Sequence, residues 1–181
     1  MHFRRLACLL LGGWLTGGLF MASVATQNFR SVDRLLAKPA APARVQVEKL
    51  GQDSARALLR YQVAEQNRLY FETWGIVETV IGFALLLILL FGSTETNFTL
   101  LLALLMLLIA VIQRFVLTPE IVILGRVIDF VPAALPSPER SHFWMMHATY
   151  SSIEVLKWGL GVVLTAKLLF RRKRRAEDVE A

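Results

Sequence analysis

The sequence predicts an all-α integral membrane protein, built as a four-transmembrane-helix bundle with a long polar, partly helical loop after the first helix. Of its 181 residues, 55% are hydrophobic, and the mean hydropathy is +0.52. The apolar residues are gathered into stretches of roughly 17 to 28 residues, and a helix of that length crosses a hydrocarbon core about 30 Å thick. The sequence lacks strand-like alternation, so helices are the expected spanning form.

The first predicted span covers residues 6–26 and follows a short basic start. A signal peptide has the same pattern, and the small residues at 23–25 would permit cleavage after the last of them. A retained helix is favoured because Gly13 and Gly17 form a small-xxx-small pair, which lets another helix approach closely. The apolar region is also longer than the core of a typical signal peptide. Cleavage remains the alternative and would leave three spans.

A polar loop, residues 27–73, separates the first span from the second, which covers residues 74–91. The Pro-containing stretch 38–43 is typical of a helix-breaking linker. Beyond it, helical spacing of apolar residues returns after Asp53 or Ser54, either of which is suited to an N-cap. The sequence therefore predicts a helix that runs from there into the second span.

The third span, residues 97–117, follows a tight polar turn at 92–96 and should form an antiparallel hairpin with the second. Pro119 should end this helix or open a new one. The segment 118–142 is too short and too charged to span, so it is predicted to be interfacial or re-entrant. Within it, Asp129 is expected to be a solvated loop charge.

The fourth span, residues 143–170, precedes a basic tail at 171–181 that opens with five consecutive basic residues. Basic residues beside spans favour a cytoplasmic position, so the sequence predicts a multi-pass protein of the cell inner membrane with both termini cytoplasmic. The basic residues within 27–73 favour the opposite orientation, which stays open. The expected partners are the lipid bilayer and, at the tail, anionic lipid head groups. The net charge of +6 comes without a nucleic-acid-binding motif, so nucleic acid is not expected.

Ionisable residues inside the spans are the candidate functional residues, because a lone charge near a helix centre costs about 2.5 to 3.5 kcal/mol. They form a predicted intramembrane polar cluster of Glu78, Arg114, His147, Glu154 and Lys157. Glu154 and Lys157 are three residues apart and should pair within one helix. Glu78 and Arg114 fall at similar depth, so an ion pair with His147 nearby is the simplest arrangement.

One face of the fourth span carries the most polar residues and should point into the bundle, with Lys157 beside it. The residues of this face are His147, Ser151, Glu154, Trp158, Gly161 and Thr165.

Three functions are compatible with this cluster: a structural pairing that fixes helix register, a path for a substrate, ion or proton, and a cofactor site. His147 is the candidate haem ligand, but a single histidine inside a span would need a second subunit for bis-histidine ligation. Whether the chain forms a homo-oligomer stays open. No cofactor and no metal site are predicted, and the lone Cys8 excludes a cysteine-based metal site. Because catalytic and nucleotide-binding motifs are lacking, no catalytic residue is assigned and an enzyme is not favoured.

Two short stretches resemble a family of small four-transmembrane-helix proteins built on a domain of unknown function, whose eukaryotic relatives are linked to platinum-drug resistance. The first stretch is residues 13–20 with 28–32, and the second is residues 143–147 with Ser151. The resemblance implies a retained first helix and supplies no catalytic residue, while the Pro-rich stretch 38–43 departs from the family pattern. The expected function is that of a structural or accessory membrane component. The alternatives are a small transport-related protein and a haem- or metal-linked membrane protein.

Overall fold

The computed structural model describes the backbone of residues 2–92, 95–132 and 135–180, and the side chains of residues 3–170 within those ranges. Helices make up nearly all of these residues, and no strand occurs among them, which confirms the all-α prediction. The helices are α1 (His2–Ala37), α2 (Ala41–Leu50), α3 (Gln52–Phe91), α4 (Asn97–Ile112), a π-helical segment (Gln113–Leu117), α5 (Thr118–Ile128) and α6 (Pro138–Glu180).

Among the residues that the structure describes, three helical stretches are long and apolar enough to cross a membrane: Phe3–Ala37, Gln52–Phe91 and Asn97–Ile128. This length and composition indicate a membrane protein. Helix α6 is longer than each of these but differs in composition, because Glu154, Lys157 and Lys167 interrupt its apolar stretch.

Four long helical rods pack side by side: α1 contacts α3, α3 contacts α4, α4 contacts α6, and α6 returns to α1. Buried residues recur at steps of three and four, which places them on one inward face of each rod. These residues include Ala7, Leu11 and Trp14 of α1, Leu85 and Leu89 of α3, Leu102, Ala103, Met106 and Ala110 of α4, and Leu164 and Leu168 of α6. The apolar core therefore runs along the axis of all four rods.

Some glycines make room for large side chains of a neighbouring rod. A Cβ atom at Gly17 would overlap Cη2 of Trp74, and one at Gly82 would lie 2.9 Å from the Trp14 ring. Small residues at such positions are typical of helix contacts in membranes. The predicted role of Gly17 is thus confirmed, whereas that of Gly13 is wrong, because a Cβ there would meet nothing within 4 Å.

The helix that contains the third predicted span continues beyond residue 117, because α4, the π-helical segment and α5 form one uninterrupted rod. Proline lacks a backbone N–H, and its ring clashes with the carbonyl four residues earlier, so it normally breaks or kinks a helix. Here the helix widens just before Pro119, and the Thr118 N–H donates to the Gln113 carbonyl oxygen in the i→i+5 pattern of a π turn. Pro119 opens α5 without an intervening loop, so residues 118–128 of the expected interfacial segment continue the rod.

The polar loop 27–73 is almost entirely helical. Helix α1 extends to Ala37, and α3 begins at Gln52, with Gly51 rather than Asp53 or Ser54 at the N-cap position. A second small core explains this order: Val32, Leu36 and Ala55 are buried together, with Val47, Leu59 and Val63 packed against them. The expected unbroken helix into the second span is confirmed.

Two predicted turns lie partly outside the described residues, at positions 93–94 and 133–134. The side chains of the basic tail 171–181 lie outside them as well.

Candidate functional site

The ammonium group of Lys157 lies at the centre of a buried polar network. Its Nζ atom is 2.6 Å from Oε2 of Glu78, 2.8 Å from Oε1 of Gln113 and 2.7 Å from Oε2 of Glu154. An ammonium group has three N–H donors, so each of them has a partner. The side chain of Lys157 is 1% exposed. The predicted Glu154–Lys157 ion pair is therefore present, within a larger set of contacts than the sequence indicated.

Two further donors complete the network. The indole Nε1 of Trp14 donates to Glu78 Oε2 at 2.9 Å, and the amide Nε2 of Gln113 donates to Glu154 Oε2 at 3.0 Å. The same amide donates to the backbone carbonyl of Tyr150 at 3.3 Å. We call the set Trp14, Glu78, Gln113, Glu154 and Lys157 the Lys157 network.

The inward faces of the rods bring these side chains together. Trp14 follows Leu11 by three residues in α1, and Glu78 lies between Gly75 and Gly82 in α3. Lys157 precedes Gly161 by four residues on α6, so it lies on the same face of that helix as Gly161 and the apolar core residues that follow. Gln113 is the first residue of the π-helical segment. Each rod thus contributes to one network.

The network has an uneven charge. Two carboxylates face one ammonium group, which leaves one negative charge in excess if every group is ionised. Moreover, Oε1 of Glu78 is buried and has no hydrogen-bond partner among the described residues. Both observations mark Glu78 as the member whose surroundings do not fully satisfy an anion.

The predicted Glu78–Arg114 ion pair is wrong. Arg114 lies across Gly75, where an added Cβ would be 2.7 Å from the arginine Cδ, and its guanidinium carbon is 5.5 Å from the centre of the Phe115 ring. Its Nε is buried with no hydrogen-bond partner in the part of the chain that the structure describes. Glu78 pairs with Lys157 instead.

His147 lies outside the network. Its side chain is exposed, and its ring packs 5.9 Å from that of Phe143 and 5.8 Å from that of Trp144. Among the described residues, no group of three or more His, Cys, Asp or Glu side chains could hold a metal ion. The haem-linked function therefore stays a prediction with no geometric support from this histidine.

The predicted inward face of α6 is rotated from the observed one. His147 and Ser151 are exposed, whereas Lys157, Leu164 and Leu168 are buried. Of the predicted face, Gly161 is buried, and Glu154, Trp158 and Thr165 are partly buried. Lys157, expected beside the face, lies at its centre.

A second polar cluster links α3 to α5. Its residues come from the segments 27–73 and 118–142. Arg68 forms a bidentate ion pair with Asp129, with both N···O distances 2.8 Å, and also contacts Glu65 at 2.5 Å. Arg126 contacts Glu65 at 3.2 Å. We call these four residues the Arg68 cluster. Asp129 is not the solvated loop charge that the sequence indicated, since its side chain is only 9% exposed.

Sequence reasoning missed Trp14 as a member of the network. A tryptophan in the middle of an apolar helix carries an indole N–H that needs an acceptor once it is buried, and this is the signal that could have identified it. Gln113 is likewise absent from the predicted cluster, although a buried glutamine also needs hydrogen-bond partners.

The comparisons with known proteins give no relative: no protein-family model, no curated protein and no solved structure matches the chain. The family resemblance inferred from the two short stretches therefore stays a prediction.

Proposed function

We propose that the protein is a structural or accessory component of the cell inner membrane, with four spans held in register by the Lys157 network. One observation carries this proposal: the three donors of a single buried ammonium group are satisfied by Glu78, Gln113 and Glu154. Trp14 adds the remaining rod through Glu78. A sliding or rotation of any rod would leave buried charged or polar groups without partners, which is costly in a low-dielectric interior.

The packing of α6 supports its assignment as the fourth span. At 1.5 Å per helical residue, Lys157 lies about 21 Å along the helix from Phe143 and about 20 Å from Phe170. It would therefore lie deep in the hydrocarbon. Charged residues at such depth face the bundle interior and are paired, as Lys157 and Glu154 are. The charges that distinguish α6 from the other rods are thus compatible with spanning.

Four spans would place both termini on one side of the membrane. Arg4 donates to the backbone carbonyl of Leu168, so the start of α1 and the end of the apolar part of α6 lie at the same end of the bundle. The basic residues at 171–175 favour the cytoplasm for that end.

The packed interior favours this structural role over transport. The side chains of Glu78 and Lys157 are each 1% exposed, and Gln113 and Trp14 are equally buried. A substrate path needs a water-accessible cavity, and these four side chains are almost fully buried against one another.

Charge-balanced variants test the role in register. Lys157→Met leaves two carboxyl groups that can become neutral only by taking protons from water, and Glu78→Gln with Glu154→Gln leaves an unpaired ammonium group. The triple variant carries all three changes and holds no charge in the network. We expect the single and double variants to accumulate poorly in membranes and the triple variant to accumulate near the wild-type amount. Poor accumulation of the triple variant, equal to that of the others, would refute the proposal.

Single-cysteine labelling tests the four spans. After Cys8→Ser, a cysteine replaces Arg44, Ser141 or Ala176 in turn, and an impermeant thiol reagent is applied to intact cells. We expect labelling at positions 44 and 141 and protection at 176, because α6 would separate the last two positions. Equal labelling at 141 and 176 would show that α6 does not cross.

A further inference from the structure

We propose that the Lys157 network is a proton-binding site, which holds one exchangeable proton on Oε1 of Glu78. The proposal rests on the proposed burial of the network within the membrane and names the ligand of that same site. It concerns a hydrogen ion alone and needs no oxidant or reductant: one O–H bond of a hydronium ion breaks, leaving water, as the carboxyl O–H bond forms on Oε1.

The charge count within the network leads to this ligand. Glu78 and Glu154 carry two negative charges when ionised, and Lys157 is the only cation among the described side chains that contacts them. An unbalanced charge in a low-dielectric interior is normally removed by a change of protonation. One bound proton makes the network neutral.

The hydrogen bonds indicate which carboxyl group holds the proton. Oε2 of Glu154 accepts from two donors, Gln113 and Lys157, and this side chain is 15% exposed. Glu78 is 1% exposed and also accepts two donors on Oε2, but its Oε1 has no partner among the described residues. An anionic oxygen without a donor is less favourable there than a neutral hydroxyl. The proton therefore belongs on Glu78 Oε1, and Glu154 stays ionised beside Lys157.

Groups on every neighbouring element agree with this assignment. Helix α1 contributes Trp14, which does not titrate, and the π-helical segment contributes the neutral Gln113. The next residue, Arg114, lies against Gly75 on the same rod as Glu78 but forms no ion pair with Glu78. On α6, Tyr150 contributes its backbone carbonyl to Gln113, and its phenol is a further titratable group that interacts electrostatically with Glu78 and Glu154.

Infrared spectroscopy of the purified protein in detergent at neutral pH tests the proposal. The carbonyl stretch of a protonated carboxyl group is separate from the carboxylate bands, and it shifts when H₂O is replaced by D₂O. We expect one such band in the wild type and none in Glu78→Gln. Glu154→Gln should also lose the band, because Lys157 would then neutralise an ionised Glu78. Lys157→Met should gain a second band.

Three results would overturn the proposal. A wild-type spectrum without the band shows that no proton is held. A band that is present in choline buffer and lost in Na⁺ buffer shows that a metal cation competes for the site. A band that persists in Glu78→Gln places the proton elsewhere. Because the wild-type spectrum needs no variant to fold, its failure is distinct from failure of the proposed function, which the accumulation of the triple variant reports.

Discussion

Two polar clusters link the helices, and they differ in charge balance and in exposure. The Lys157 network joins four rods with side chains that are mostly about 1% exposed, and it carries two acidic groups for one basic group. The Arg68 cluster joins α3 to α5 with two acidic and two basic groups, and its outermost member, Arg126, is 60% exposed. Both are well hydrogen-bonded, but most side chains of the first are more deeply buried than those of the second.

The comparison shows how surroundings decide what an ion pair contributes. Exposed pairs contribute little because water and salt screen them, whereas the loss of one partner from a buried pair leaves an uncompensated charge. We therefore expect changes in the Lys157 network to cost more stability than similar changes in the Arg68 cluster. Four substitutions sharpen or break this expectation, beginning with the largest effect.

Gln113→Leu should have the largest effect of the four. It removes an acceptor from Lys157 and a donor from Glu154 together, and we expect a loss of about 3 kcal/mol, because hydrogen bonds to charged groups are lost in the interior. The measurement is the free energy of unfolding in detergent. Gln66→Leu, which changes an exposed glutamine of α3, is the matched control and should be near neutral. Equal losses in both variants would contradict the network.

Arg68→Met should have an intermediate effect. It leaves Asp129, 9% exposed, without its bidentate partner, and we expect a loss of about 2 kcal/mol for unpairing a partly buried carboxylate. Thermal unfolding of the variant beside the wild type measures it. A loss larger than that of Gln113→Leu would reverse the order of the two clusters.

Trp14→Phe should have a smaller effect, because the aromatic ring remains and only the indole N–H is lost. We expect about 1 kcal/mol, the usual contribution of one hydrogen bond. Trp144→Phe is the control, since Trp144 is 59% exposed on α6. If the two variants unfold at the same temperature, the Trp14–Glu78 hydrogen bond contributes nothing to stability.

Arg126→Met should have the smallest effect, because the side chain is mostly exposed and its pair with Glu65 is screened by salt. We expect the unfolding temperature to match that of the wild type at high ionic strength, with any difference confined to low salt. A large loss that persists at high salt would show that this pair is shielded from solvent.

The sequence predicted the rods well because their apolar stretches and helical spacing are local signals. The intrahelical Glu154–Lys157 pair likewise follows from spacing within one helix. The depth of a residue along its helix axis could also be predicted, because it needs only the rise per residue. Similar depth suggested that Glu78 and Arg114 would form an ion pair.

What the sequence could not supply was the rotation of each rod about its axis. Gln113 and Arg114 are neighbours in the chain but point in directions about 100° apart on a helix of 3.6 residues per turn, and only one can face Lys157. The π turn before Pro119 alters that rotation further. Such choices depend on packing between rods, as does the folding of residues 27–73 around Val32, Leu36 and Ala55.

The central claim is that Lys157 stabilises the bundle from within, and a comparison with Lys167 tests it most directly. Both lysines lie on α6, but Lys157 is buried among three partners, whereas Lys167 is exposed with its ammonium 4.3 Å from the centre of the Phe98 ring. Unfolding in detergent should show a loss of about 3–5 kcal/mol for Lys157→Met, the cost of breaking a buried pair. Lys167→Met should lose less than about 1 kcal/mol, as expected for an exposed cation over a ring. Similar losses for the two variants would contradict the account.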